Sequence, residues 1–316
     1  MTKRNPTLGA VLAITGALLF GINASTSKLV IEAGFSASEV VLFRSAATSA
    51  LAFLAVALTN PQRLKIRLVE WPKMLAFGVF GVALMQWAYS QAVAGLAVGI
   101  ALLIEYTAII WVPLVSWVLY RRRVARLTWL AVCFVIAGLI TVSGLASNQV
   151  IDPLGALYAF LAATFLTYYF IEGKNILRER DTMSTLAYSM LVSTIFWAVA
   201  SFWWMHEAPI APGIKLLGQG APEVPILLGL VWLALMGSFV PMWLSYRAMH
   251  HLSSTAAGIA STSETVFAFG FGFVILGETF SSTQTIGGGL VLFGILAAQI
   301  AERSTQEKAE STHDQH

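Results

Sequence analysis

Charge is scarce in this chain. Of its 316 residues only 11% are Asp, Glu, Lys or Arg, while 57% are hydrophobic and the mean hydropathy is +0.75. A water-soluble domain carries about a quarter charged residues, so most of this surface is not built for water. Cysteine is nearly absent. Cys133 stands alone among apolar neighbours, which excludes an intrachain disulfide and a cysteine-based metal site and predicts a thiol packed within the apolar interior. The five histidines, His206, His250, His251, His313 and His316, form no helical H-x-x-x-H metal box. No Ser/His pair stands at one depth, and no glycine-rich loop joins a strand to a helix. An enzyme is therefore not expected, nor a cofactor or metal.

Long apolar runs are what the chain does have. Ten segments of about twenty residues are each able to cross a bilayer as a helix: 8–30, 37–59, 74–94, 97–120, 127–145, 152–172, 184–205, 224–247, 254–276 and 283–301. A barrel would need polar residues alternating along each run, and these runs lack them. The expected fold class is an all-α integral membrane protein. The first run is longer than a signal-peptide core, shows no A-x-A site, and is read as the first membrane helix.

The basic residues orient these helices. With residues 1–7 cytoplasmic, sixteen of the 19 Lys and Arg fall in inside segments, including the run Arg121-Arg122-Arg123. Lys28 and Lys215 fall outside, and Arg44 lies within a helix. This positive-inside bias places both termini in the cytoplasm, and predicts a plasma (inner) membrane protein whose pI near 9.0 reflects topology, with no nucleic-acid partner. The charged tail, 302–316, is expected to be disordered.

The chain also repeats itself. Gly99-Ile-Ala and Gly258-Ile-Ala260 each precede a glutamate by the same interval, which aligns Glu105 with Glu264. Phe134-Val-Ile-Ala-Gly138 falls near Leu290-Val-Leu-Phe-Gly294, and Ser27-Lys28-Leu29 matches Gly173-Lys174-Asn175. Residues 8–145 and 152–301 are thus expected to form two five-helix repeats. An odd helix number inverts the second repeat, an architecture that lets transporters expose one midplane site to either face in turn.

With Leu276-Gly-Glu278 fourteen residues beyond Glu264 and glycines at 287, 288, 289 and 294, residues 8 to 301 resemble the EamA family of the drug/metabolite transporter superfamily. Ala24-Ser25, Lys28, Arg44 and Glu105-Tyr106-Thr107 resemble its threonine and homoserine exporter branch. The resemblance implies export of small amino acids, with export of other drugs or metabolites, or uptake of a small organic solute, as the alternative readings. In one respect the chain departs from the family: Pro often follows the glutamate there, whereas Tyr106 and Thr265 follow here, implying a different local helix break.

The candidate site starts from Glu105, the only charged side chain between Lys73 and Arg121. A carboxylate facing lipid costs several kcal/mol, so it is expected to face a cavity or a partner. Arg44 should lie at a similar depth, and the two are expected to approach each other or share a polar cavity. A dry pair would be a structural clamp. A wet one would bind a zwitterion, Glu105 taking its ammonium and Arg44 its carboxylate. Asn23, Gln86, Tyr89, Tyr106, Thr107, Tyr168, Tyr169, Tyr246, Ser261 and Thr262 are the candidate walls. Glu264, with Ser189 where Arg44's counterpart would stand, is the candidate for proton coupling.

Lys28 and Glu32, one turn apart, read as an exposed pair. The glycines of the last helix suit internal packing against the helix carrying Gly270 and Gly272, or a homodimer contact. A channel or a receptor are the competing readings; a receptor has no need of an inverted repeat, and a channel would show unsaturable flux.

Overall fold

The computed structural model describes residues 5–108, 110–111, 115, 126–142, 151–205, 213–215, 218, 220–251 and 254–313, and the side chains of most of them. It is helical almost throughout. α1 is Pro6–Glu32 and α2 is Ala37–Thr59. α3 is the span Leu68–Gly95, and α4 is the short helix Val98–Glu105. α5 is Arg126–Val142, α6 is Pro153–Glu179 and α7 is Thr182–Ala200. α8 joins Ile226–Ala234 to Val240–His251, α9 begins as Ser254–Phe271, and α10 is Ser282–His313. The only strands among the described residues, Gly213–Ile214 and Val224–Pro225, pair antiparallel ahead of α8.

Six of these helices are long and apolar enough to cross a membrane. Trp129–Val142, Ser263–Leu276 and Ser282–Ala297 are shorter apolar helical stretches. The expected segment 97–120 falls partly outside the described residues; Val98–Glu105 within it is helical. Leu58, Val199, Phe273 and Ile286 are among the large apolar side chains left exposed on the outer surface. This is the surface of a multi-pass protein with lipid as its solvent.

Helix starts follow local chemistry. Asn5 accepts from the Leu8 N–H ahead of Pro6, Ser36 and Glu39 form a reciprocal capping box, and Asp152 and Asp181 accept from the first-turn N–H groups of α6 and α7. Three helices are interrupted by a π-helical turn: Phe77–Ala83 in α3, Leu235–Phe239 in α8, and Gly272–Leu276 at the end of α9. Gly277, at φ 68°, ends the last of these in the left-handed region.

α1 packs on α8 and α9, α6 on α3 and α4, α2 on α7, and α5 on α10. Short connections set two ends. Lys28, Leu96, Val98 and Glu278 meet at one. At the other, which carries the N-terminus, Arg63 pairs with Asp181 and Arg180 with Glu70. Arg180 also lies over the Tyr188 ring.

Four expectations change. Residues 302–313, read as disordered, continue α10, being rich in helix formers and free of Gly and Pro. Cys133 is exposed on the outer surface rather than packed. Gly287 and Gly294 of α10 pack against α5, while Gly288 faces Leu103 on α4 and Phe269 on α9: a Cβ on Gly287 would come within 2.7 Å of the Val142 nitrogen, and one on Gly138 within 2.7 Å of the Gly287 oxygen. The face carrying Gly287 and Gly294 is therefore occupied by α5, whereas a Cβ on Gly289 would meet no atom within 4 Å. Lys28 leaves Glu32 for Glu278, as described below.

Candidate functional site

A cavity of about 190 Å³ lies between α1, α2, α3, α4, α6, α8 and α9. It is smaller than the roughly 300–1,000 Å³ of sites for drug-sized ligands, and suits a small solute. Asn23, Arg44, Gln86, Tyr89, Glu105, Tyr106, Tyr169 and Glu264 all line it. Apolar wall comes from Ala13, Ala17, Phe20, Val82, Leu102, Phe170 and Met242.

Arg44 and Glu105 share this cavity, but no ion pair joins them among the described residues. Arg44 is turned to α8 instead: its Nε donates to Ser238 Oγ at 2.8 Å and its Nη2 to the Gly237 carbonyl at 3.3 Å. Both acceptors sit in the π-helical turn of α8. A π turn breaks the regular i→i−4 ladder, which is why such turns recur at functional sites. Ser238 and Gly237 were not anticipated. The signal available was a Gly-Ser pair inside the otherwise apolar run Ile226–Phe239.

Glu105 is the last residue of α4 and only 7% exposed, yet its carboxylate has no hydrogen-bond partner among the described residues. The helix breaks immediately after it without a proline. Thr107 makes the break: its N–H bonds the Ile104 carbonyl, and its Oγ1 donates to the same carbonyl at 2.7 Å and accepts from Trp111 Nε1. Thr107 thus shapes the turn and is not part of the cavity wall. Tyr106 points into the cavity, where its hydroxyl donates to Glu264 Oε2 at 2.7 Å.

Of the polar atoms buried without a partner among the described residues, three belong to residues that line the cavity: Asn23 Oδ1, Gln86 Oε1 and the Tyr89 hydroxyl. Gln86 Nε2 has only the Met190 sulfur, at 3.9 Å. Each unmatched buried polar atom costs about 1–3 kcal/mol, and several converging on one cavity call for a ligand or water to satisfy them.

The remaining candidates separate. Tyr168 and Tyr169 are neighbours on α6, so about 100° of helix divides them. Tyr169 lines the cavity and stacks on Phe77, whereas half-buried Tyr168 turns away, edge-on to Phe80. The side chains of Tyr246, Ser261 and Thr262 lie outside the described residues. Ser189 is buried and back-bonds to the Leu186 carbonyl, away from the cavity.

Lys28 was read as an exposed partner of Glu32 and is neither exposed nor so paired. Its Nζ donates to Glu278 Oε1 at 2.8 Å and to the Leu96 carbonyl at 2.9 Å. The Glu278 carboxylate also accepts from the Val98 N–H, with contacts of 3.2 and 3.1 Å to its two oxygens. A carboxylate at the first turn of α4 complements the helix dipole there.

Lipid-facing helices around a buried polar cavity define the class: a polytopic membrane protein with a polar cavity inside its helix bundle. The particular family follows from comparison. The EamA-like transporter family model matches residues 7–144 and 153–298, and the chain belongs to that family. It is 24% identical over 254 residues to the uncharacterized transporter YwfM of Bacillus subtilis, covering 80% of this chain and 81% of that one. It is 24% identical over 292 residues to the pseudopaline exporter CntI of Pseudomonas aeruginosa, covering 92% and 95%. A solved crystal structure overlays with a TM-score of 0.60 at 16% identity, over 94% of this chain and 98% of that one, a likeness of fold alone.

Proposed function

We propose that the chain is a secondary transporter of the inner membrane that exports small amino acids such as threonine or homoserine by alternating access. The observation that carries this reading is one cavity holding Arg44, Glu105 and Glu264 within a bundle of membrane-spanning helices. Glu105, lacking a protein partner, takes the substrate ammonium. Arg44, fixed by two bonds that leave Nη1 unengaged, takes the carboxylate. Phe20, Tyr89 and Tyr169 enclose the aliphatic part and can contact a cation through their rings. Glu264 exchanges the proton that couples export to the gradient.

The helix pairing supports ten spans arranged as inverted repeats over 8–145 and 152–301. Advancing every helix number by five in the wrapped order turns α1 on α8 into α6 on α3, and α1 on α9 into α6 on α4. It leaves α2 on α7 and α5 on α10 unchanged. The positive-inside bias of the basic residues supports a cytoplasmic side for both termini.

Flux of labelled threonine and homoserine into proteoliposomes, with and without an imposed proton gradient, tests the reading. Saturable, gradient-dependent flux is expected. If neither amino acid moves through protein shown to be folded, the amino-acid assignment falls. A relative named as a pseudopaline exporter favours a second reading, export of a metabolite other than threonine or homoserine through the same cavity. Glu264→Gln separates the coupling: gradient-driven flux that survives it would remove the proton role.

A further inference from the structure

We infer that Lys28 and Glu278 form the latch that seals the cavity at the end away from the N-terminus, and that transport requires this pair to open. The inference rests on the alternating-access reading above.

The cavity is lopsided along the bundle. On α1 it is lined by Ala13, Ala17, Phe20 and Asn23, and no residue beyond Asn23 on this helix lines it. Lys28 comes five residues further, about 7.5 Å at helical rise, while Ala13 lies about 22 Å from Lys28 in the other direction. On α8 the lining likewise extends to Ser245 and Ala248, close to its end at His251, which sits beside Asn5. The space therefore runs from the charged residues toward the N-terminal end and stops short of the opposite one.

What closes the opposite end is a small set of bonds across four segments. Lys28 on α1 holds both the Leu96 carbonyl, in the turn between α3 and α4, and Glu278, in the turn before α10. Glu278 in turn holds the Val98 N–H at the start of α4. The two charged side chains are 14% and 11% exposed, so the pair is shielded but not sunk in the core. That placement suits a bond which must break and re-form. Moving α1 away from α4 at this end, as outward opening demands, separates Lys28 from Leu96 and Glu278 together.

Side-selective labelling tests the latch without knowing the substrate, so a failed flux assay and a failed latch remain distinguishable. Cys133→Ser provides the background and Ala17→Cys the probe within the cavity. A membrane-impermeant maleimide is applied to either face of vesicles holding the full chain. With Lys28 and Glu278 intact, labelling is expected from the N-terminal face only. Lys28→Met and Glu278→Gln are each expected to raise labelling from the opposite face at least fivefold, with labelling from the N-terminal face kept as evidence of folding. Lys28→Arg, which keeps the charge and donors, is expected to stay sealed. Opposite-face labelling that is unchanged in folded Lys28→Met or Glu278→Gln overturns the inference. Should both fail to fold, Lys28→Gln, which retains a donor without the charge, decides in the same way.

Discussion

Two polar regions of this molecule are built on opposite rules. At the Lys28 end the lysine and Glu278 are both matched: the lysine has a carbonyl and a carboxylate, and the carboxylate has an N–H besides. In the cavity, Asn23 Oδ1, Gln86 Oε1 and the Tyr89 hydroxyl are left without one, and Glu105 has no hydrogen bond among the described residues. The first region spends its polar groups on holding helices together. In the second they are withheld from the fold and kept for something that comes and goes. Charge within a membrane protein thus says little by itself; whether that charge is already matched distinguishes a fastening from a site.

This contrast can be broken by substitution. Arg44→Ala is the most severe change, since it removes a guanidinium engaged with Ser238 and Gly237 on one side and the cavity on the other. On the order of a hundredfold loss of flux is expected in proteoliposomes, as charge-assisted bonds contribute about 1.5–3 kcal/mol each. Glu105→Gln should cut flux about tenfold yet leave thermal unfolding in detergent where it was, because no protein bond is lost. A clear fall in stability there would erase the distinction between the two regions. Glu278→Gln, unlike Glu105→Gln, is expected to lower stability, by about 1–3 kcal/mol in the same unfolding measurement. Tyr106→Phe removes one hydrogen bond to Glu264 and should lower gradient-driven flux about fivefold, the worth of roughly 1 kcal/mol. Arg67→Ala, at the exposed pair with Glu70, should shift stability by less than about 0.5 kcal/mol.

The membrane class and most helices were legible because a bilayer demands long apolar runs and these have a simple signature. The cavity residues were legible for a related reason: a charge at mid-membrane is costly enough to be informative wherever it stands, as with Arg44, Glu105 and Glu264. The partners of those charges were not. Periodicity says which face a residue occupies on its own helix, but Arg44 meets Ser238 across the bundle, through a π turn with no sequence period of its own. Lys28 was assigned to Glu32 because the next helical turn is the only neighbour a linear sequence displays. Its true partner, Glu278, was already visible as part of a motif, and the topology put both residues at the outer end, but nothing in the sequence brought their helices together there. Thr107 was misread as wall because a hydroxyl that closes a turn and one that faces a ligand look alike in a sequence.

The bond between Arg44 and Ser238 also bears on how the chain is made. Its two ends are 194 residues apart, so at about 5–20 residues per second α2 is synthesised roughly ten to forty seconds before the π turn of α8 exists. Throughout that interval the arginine has entered the membrane environment without its final acceptors, at a cost of about 2.5–3.5 kcal/mol on insertion scales. Nascent chains cut short before residue 237 keep that unmatched charge permanently. The same side chain that equips the finished protein is therefore left without its Ser238 and Gly237 acceptors in an unfinished one.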